Sequence, residues 1–271
     1  MFHIWQPAKR SCHRMMATRE AELWSHDHNL SQSCTRVYNC RMRLHRFYSK
    51  EKLEQKSSVL IPDASLLNQL KNVFRLTKGD EIILFDNSGF DFHSTIDAYE
   101  KDSVSLIINK VNENIVLPLK ETYLFVSLVK KDNFEWIVEK ATELGVSHII
   151  PLISERTEKK DFNSDRIQKI IVEAAEQSGR GTLPILHEVT DLESALHNYA
   201  YIKSIGWHTK APKFVSQDLV ETIGAYIGPE GGWSDAEEDM FKVHGVHTRS
   251  LGPQILRSET AVIAVLSRLV F

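Results

Sequence analysis

From Met42 onward the apolar residues follow two successive patterns. Between Leu44 and Val111 they come in short alternating runs: Leu44 to Tyr48, Val59 to Ile61, Glu81 to Phe85, Phe90 to Asp97 and Ser103 to Val111. The turn sequences Lys78-Gly79-Asp80 and Asp86-Asn87-Ser88-Gly89 separate several of them. Period-two alternation bounded by such residues predicts half-buried strands, and several of them in sequence predict a small β-barrel. One stretch breaks the alternation. Leu66, Leu67, Leu70, Val73 and Phe74 share one face of a helix, and Asp63 stands where its N-cap is needed.

After a linker around Asn112 to Lys120, interrupted by Pro118, the pattern becomes strand then helix. Tyr123 to Val129 is a near-continuous apolar strand. Asp132 to Leu144 carries Phe134, Ile137, Val138, Ala141 and Leu144 at helical spacing, and Gly145 closes it. Val146 to Ile153 reads as a second buried strand. Ser164 to Ser178 is a helix through Ile167, Ile170, Ile171, Ala174 and Ala175, stopped by Gly179; a helix over Leu192 to Tyr199 and a strand over Tyr201 to Ile205 follow. Such alternation predicts a parallel sheet covered on both faces, so the second region belongs to the α/β class.

The final forty-odd residues hold two glycine-bearing turns, each between an apolar strand and a helix. The first is Ile227-Gly228-Pro229-Glu230-Gly231-Gly232-Trp233-Ser234, after the buried stretch Ala225-Tyr226-Ile227. Ser234-Asp235-Ala236-Glu237 fits a capping box, which starts a helix at about Asp235 that Gly245 ends. The second is Leu251-Gly252-Pro253-Gln254-Ile255-Leu256-Arg257-Ser258-Glu259-Thr260, leading into the apolar run Ala261 to Leu266, a helix with almost no polar face that must be buried. Gly228, Gly231 and Gly232 permit positive φ and close approach of a ligand to bare backbone. Arg257 and Glu259 are charged groups at the mouth of a buried helix, where the dipole favours Glu259. No G-x-G-x-x-G follows the first strand of the second region and no Walker motif occurs anywhere, so a standard nucleotide-binding fold is poorly supported.

In this order and spacing the two turns resemble the paired signature of the bacterial RsmE-type ribosomal RNA methyltransferases, members of the SPOUT superfamily. Upstream matches extend the resemblance from Met42 to the C-terminus: Glu139 to Val146, Ser154-Glu155-Arg156 and Glu173 to Arg180. The resemblance implies a C-terminal SPOUT domain with a trefoil knot, preceded by a PUA-like RNA-binding β-barrel. It implies S-adenosyl-L-methionine as cofactor, methylation of N3 of a uridine in small-subunit (16S) ribosomal RNA, and a homodimer. The cofactor is expected against three loops: Gly206, Trp207 and His208; Ile227, Gly228, Pro229, Glu230, Gly231 and Gly232; and Leu251, Gly252, Ile255 and Leu256. Arg257 would stabilise the developing uracil anion or a phosphate, and Glu259 would orient Arg257 or accept the proton. Trp207 and Trp233 stand beside these loops, either to stack on a base or simply to pack. Arg43, Arg46, Arg75, Arg156 and Arg180 are the expected RNA-binding positions. Gln254 stands where the family usually carries arginine, which thins the RNA-facing charge.

Residues 1–41 lack strand or helix periodicity and hold all three cysteines, Cys12, Cys34 and Cys40. They read as a non-folding extension, with an organelle transit peptide as the alternative. The expected domains are therefore 42–114, PUA-like, and 119–271, the methyltransferase. Residues 1–41 carry six Lys/Arg and three Asp/Glu, so the −3 of the whole chain becomes −6 beyond them. RNA binding must then rest on local basic clusters rather than on net charge. No apolar run approaches the eighteen or so residues that span a bilayer, and no Cys/His pair has zinc-site spacing. A cytoplasmic protein is expected. The competing readings are a SPOUT-fold RNA-binding protein without turnover, and a methyltransferase acting on another RNA.

Overall fold

The computed structural model describes residues 44–53, 57–116, 120–158, 162–214 and 221–271. The proposed extension, Arg43 and Pro118 lie outside the described residues.

The first region is one mixed five-stranded sheet. Its strands are β1 (Arg46–Tyr48), β2 (Ser58–Ile61), β3 (Glu81–Phe85), β4 (Phe90–Tyr99) and β5 (Val104–Glu113), in the order β1-β3-β4-β5-β2. Only the β1–β3 pair is parallel. Among the described residues β1 and β2 remain the edges of this sheet, so the ladder is open where a closed barrel was expected. The alternation does its predicted job: Phe47, Ile82, Leu84, Phe92, Ile96, Val104 and Leu106 form the core under the sheet. Helix α1 (Ala64–Asn68) is capped by Asp63, whose carboxylate accepts the Ser65 and Leu66 N–H groups. It then widens into a π-helical turn over Gln69–Val73, with Phe74 N donating to the Gln69 carbonyl. The predicted helix is present but its second half is wound one residue wider, which periodicity alone does not reveal.

The second region is a parallel sheet with helices. Its main strands are β6 (Glu121–Ser127), β7 (His148–Ile153), β8 (Ile185–Leu186), β10 (Ser204–Trp207), β11 (Thr222–Ile227) and β12 (His247–Arg249), in the order β12-β10-β11-β6-β7-β8; the two-residue β9 (Thr190–Asp191) also pairs with β7. The helices are α2 (Lys131–Glu143), α3 (Ser164–Ser178), α4 (Leu192–Asn198), α5 (Asp235–Val243) and α6 (Ser258–Leu269). One core joins α2, α3 and α6 to the sheet through Phe134, Ile137, Ile171, Val262 and Leu266. The other face packs α4 and α5 through Leu192, Leu196 and Phe241, with Phe125 and Tyr226 stacked at 4.2 Å. Each large side chain enclosed this way contributes about 1.5–3 kcal/mol of hydrophobic stabilisation. Gly224 is required by the sheet itself, since a Cβ there would lie 2.2 Å from Ser204 Oγ on the neighbouring strand. No described helix is long and apolar enough to cross a membrane.

Candidate active site

Parallel pairing brings the predicted loops to one place. The register sets Trp207 beside Ile227 and beside Arg249, and sets Ile227 beside Val126. The chain therefore leaves β10, β11 and β12 at the same height. After β6 the chain builds β7 and β8 on one side of the sheet, whereas β10, β11 and β12 lie on the other. The crevice between β6 and β11 is thus a topological switch point, where α/β sheets hold ligands at the carboxyl ends of their strands. Gly228 sits at its mouth.

Hydrogen bonds tie the loops together. The Trp233 indole N–H donates to the Trp207 carbonyl at 3.3 Å, and Ser258 Oγ donates to the Gly228 carbonyl at 2.9 Å. His208 Nδ1 lies 3.1 Å from Glu238 on α5. Both halves of the capping box at Ser234 and Glu237 are made, which fixes where the first loop turns into α5. Ser258 was not singled out from sequence. Its position between Arg257 and Glu259 offered only a weak signal.

The glycines have partly different reasons from those expected. Gly232 takes φ 67°, a left-handed value that suits glycine. Gly228 and Gly231 are instead small because protein packs on them: a Cβ at Gly228 would meet the Trp233 ring at 3.2 Å, and one at Gly231 would meet the Arg156 stem at 3.2 Å. Trp233 is 3% exposed, with its ring edge-to-face on Phe241, and Trp207 is buried against Phe214. Both tryptophans pack; neither presents a ring to a base.

Around the crevice several polar groups lack protein partners among the described residues. Trp207 Nε1 and Glu259 Oε2 are enclosed with no hydrogen bond. The peptide groups of Leu251, Gly252, Ile255 and Leu256 make none either. The two enclosed side-chain atoms are the unusual ones, since buried polar groups are rarely left unpaired, whereas the four peptide groups belong to half-buried or exposed residues and are open to solvent or a ligand. Pro229 is buried, Glu230 and Arg257 are exposed, and the Ile255 side chain is 88% exposed on the outer rim. Arg257 forms the N-cap of α6 without capping it, so its guanidinium is not tied to the helix.

The arginines divide sharply. Arg46 does not face outward: its Nη1 and Nη2 grip Asp91 at 2.6 and 2.8 Å, and Nη2 also donates to the Arg180 carbonyl at 3.1 Å. Arg180 is 4% exposed and donates to the carbonyls of Thr142, Val146 and Thr182. Burial lowers its pKa to about 10, still charged at neutral pH, and the carbonyls at the C-terminal end of α2 are a favourable place for a cation. Asn114 Nδ2 bonds both Asp91 and the Gly179 carbonyl, and Glu176 accepts from Tyr48 N and Gln69 Nε2. These groups join the N-terminal sheet to α3. The expectation that Arg46 and Arg180 contact RNA is corrected by this inward geometry. Arg156 is exposed but reaches the Gly231 and Trp233 carbonyls. Arg75 is exposed, at φ 57°, just beyond the π-helical turn, and stands as the accessible basic position.

A family model for an RNA methyltransferase domain matches residues 116–270, and one for an RNA methyltransferase PUA domain matches residues 70–109. A Bacillus subtilis (strain 168) protein named ribosomal RNA small subunit methyltransferase E is 32% identical over 240 residues, 81% of this chain and 92% of its own. The chain belongs to the ribosomal RNA small subunit methyltransferase E family. A Synechocystis relative of the same name is 33% identical over 218 residues, covering 75% of this chain and 70% of its own. Among solved structures, a ribosomal RNA small subunit methyltransferase E from Neisseria gonorrhoeae bound to S-adenosyl methionine matches with a TM-score of 0.77 and 29% identity over 83% of this chain and 96% of that one. A Legionella pneumophila methyltransferase in complex with the same cofactor gives 0.76 and 28%, with equal coverage. Membership in this family accounts for both halves of the chain: a PUA-like sheet precedes a parallel-sheet RNA methyltransferase domain.

Proposed function

We propose that the protein is an S-adenosyl-L-methionine-dependent methyltransferase acting on N3 of one uridine in small-subunit (16S) ribosomal RNA. The observation that carries the reading is the convergence of the three glycine-bearing loops at the switch point, with Glu259 Oε2 enclosed and unpartnered just after the last of them. The peptide groups of Leu251, Gly252, Ile255 and Leu256 suit the adenine edge and the methionine part of the cofactor. Gly206, Trp207, His208 and Ile227 through Gly232 form the opposing wall. When bound, S-adenosyl-L-methionine supplies an electrophilic methyl group on a sulfonium.

The chain's own residues handle charge and protons. N3 of uridine is a weakly acidic imide, and its deprotonation spreads negative charge onto the flanking carbonyls. Arg257, exposed at the start of α6, faces that charge, and the first-turn peptide N–H groups of α6 add a favourable dipole. Glu259 keeps one carboxylate oxygen enclosed and unpartnered, the requirement for accepting the N3 proton or for fixing Arg257. No cysteine lies beyond Cys40, which suits attack by nitrogen without a covalent enzyme adduct.

The finer parts of the reading follow the family resemblance. They are a trefoil knot in the α/β domain, a homodimer through that region, domains at 42–114 and 119–271, RNA contact through Arg75, and a cytoplasmic place of work. Transfer of labelled methyl from S-adenosyl-L-methionine to small-subunit particles lacking the modification, compared with free ribosomal RNA, tests the reaction. Incorporation lost in Arg257→Ala supports the assignment. Cofactor binding with no incorporation into either RNA substrate would leave a SPOUT-fold binding protein instead.

A further inference from the structure

The turn between β7 and α3 is built to hold the first glycine loop. Ser154 N donates to Thr157 Oγ1 and Thr157 N to the Ser154 carbonyl, both at 3.0 Å, and both side chains are buried. This closed turn presents Glu155 and Arg156 in one fixed direction. Glu155 N donates at 2.8 Å to Glu237 Oε1, while Glu237 Oε2 accepts Ser234 N at 2.8 Å in the capping box. One buried carboxylate therefore bonds the turn and the start of α5 together. Arg156 Nη1 completes the attachment with bonds to the Gly231 carbonyl at 2.8 Å and the Trp233 carbonyl at 3.0 Å. Its aliphatic stem occupies the space that a Cβ at Gly231 would enter.

We propose that Arg156 is a positioning residue for the methyl donor, holding the Gly228 to Trp233 loop in its cofactor-receiving shape, and is not an RNA ligand. The proposal rests on the methyltransferase reading above. A guanidinium is suited to the task because one nitrogen reaches two carbonyls while the turn and the stem fix its direction. This pull on the Gly231 and Trp233 carbonyls fixes the course of the Gly228 to Trp233 loop. Without that pull, the loop must be ordered by the cofactor itself, and the ordering cost appears as weaker binding.

The test is calorimetric titration of S-adenosyl-L-methionine into the full chain, its Arg156→Ala and Arg156→Lys variants, with thermal melts of each. RNA affinity is read in parallel with a labelled small-subunit RNA fragment. Arg156→Ala should weaken cofactor binding about tenfold, with Arg156→Lys restoring it to within about threefold and RNA affinity unchanged within about twofold. In turnover, the loss should fall on the KM for the cofactor while kcat is retained. Cofactor affinity in Arg156→Ala equal to wild type would overturn the proposal, most plainly if RNA affinity fell instead. If the alanine variant does not fold, Arg156→Gln takes its place: affinity and KM identical to wild type overturn the proposal, and a rise in the cofactor KM alone supports it. A wild-type chain that binds no cofactor would overturn the methyltransferase reading, and this proposal with it.

Discussion

Replacing Arg46 with alanine separates a structural arginine from an RNA-binding one. The guanidinium makes a bidentate pair with Asp91 and a third bond to the Arg180 carbonyl, and lies 5.3 Å from the Phe85 ring centre. Side-chain exposures are 6% for Arg46 and 15% for Asp91. Removing the arginine leaves Asp91 with Asn114 as its remaining side-chain partner. Breaking a buried pair by removing one member typically costs about 3–5 kcal/mol, and the residual exposure of Asp91 places this one at the lower end, about 3 kcal/mol. For a chain of this size that corresponds to a fall in Tm of about 6–12 °C. Thermal and urea denaturation of wild type, Arg46→Ala, Asp91→Ala and the double variant would give the coupling energy directly. The double variant should be less destabilised than the two single losses added together. A Tm within about 2 °C of wild type, accompanied by a tenfold loss of RNA affinity, would refute the argument.

Other outcomes follow from the same geometry. Arg75→Ala should leave Tm unchanged and weaken RNA binding with a reduced salt slope, measured by titration at several ionic strengths. Arg257→Ala should abolish methyl transfer while cofactor affinity stays within about twofold of wild type. Ser258→Ala removes the bond to the Gly228 carbonyl and should cost about 1 kcal/mol of cofactor binding, roughly fivefold in Kd by calorimetry. His187 is held below the ordinary histidine pKa of 6.5 by burial and then by neighbouring His148, and is bonded to His148 and Tyr199. The unfolded chain therefore takes up this proton at higher pH than the folded one. The stability it contributes is complete above about pH 6.5 and is lost as pH falls through the lower folded value. Urea midpoints across this range should show that slope in wild type and lack it in His187→Asn; identical slopes would rule out the assignment.

Much of the fold was legible because local signals agreed with global ones. Asp63, Ser234 with Glu237, and Gly145, Gly179 and Gly245 mark helix ends that the structure realises, the three glycines all at positive φ. Helical spacing in α2 and α3 named the residues that enter the core, because a single apolar stripe has one way to be buried. The convergence of the glycine loops was legible only through family resemblance, since the register that aligns Trp207, Ile227 and Arg249 is a property of strands distant in sequence. Arg46 and Arg180 were misread for the same reason. Their distant acceptors are 45 residues away at Asp91 and 34 to 38 residues away at Val146 and Thr142, and only the bond from Arg180 to the Thr182 carbonyl is local. Glu237 was seen as half of a capping box, while its second oxygen, which holds Glu155 N, depends on a loop 82 residues earlier.

The central claim is a reaction at one atom of one nucleoside, and mass spectrometry of nucleosides reads that atom directly. Small subunits from a strain lacking the native activity would be incubated with the protein and S-adenosyl-L-methionine, then digested and analysed. The account predicts new 3-methyluridine at a single position of the ribosomal RNA, absent with Arg257→Ala. Methylation at a different atom, at another nucleoside, or none at all with a cofactor-binding protein would contradict it.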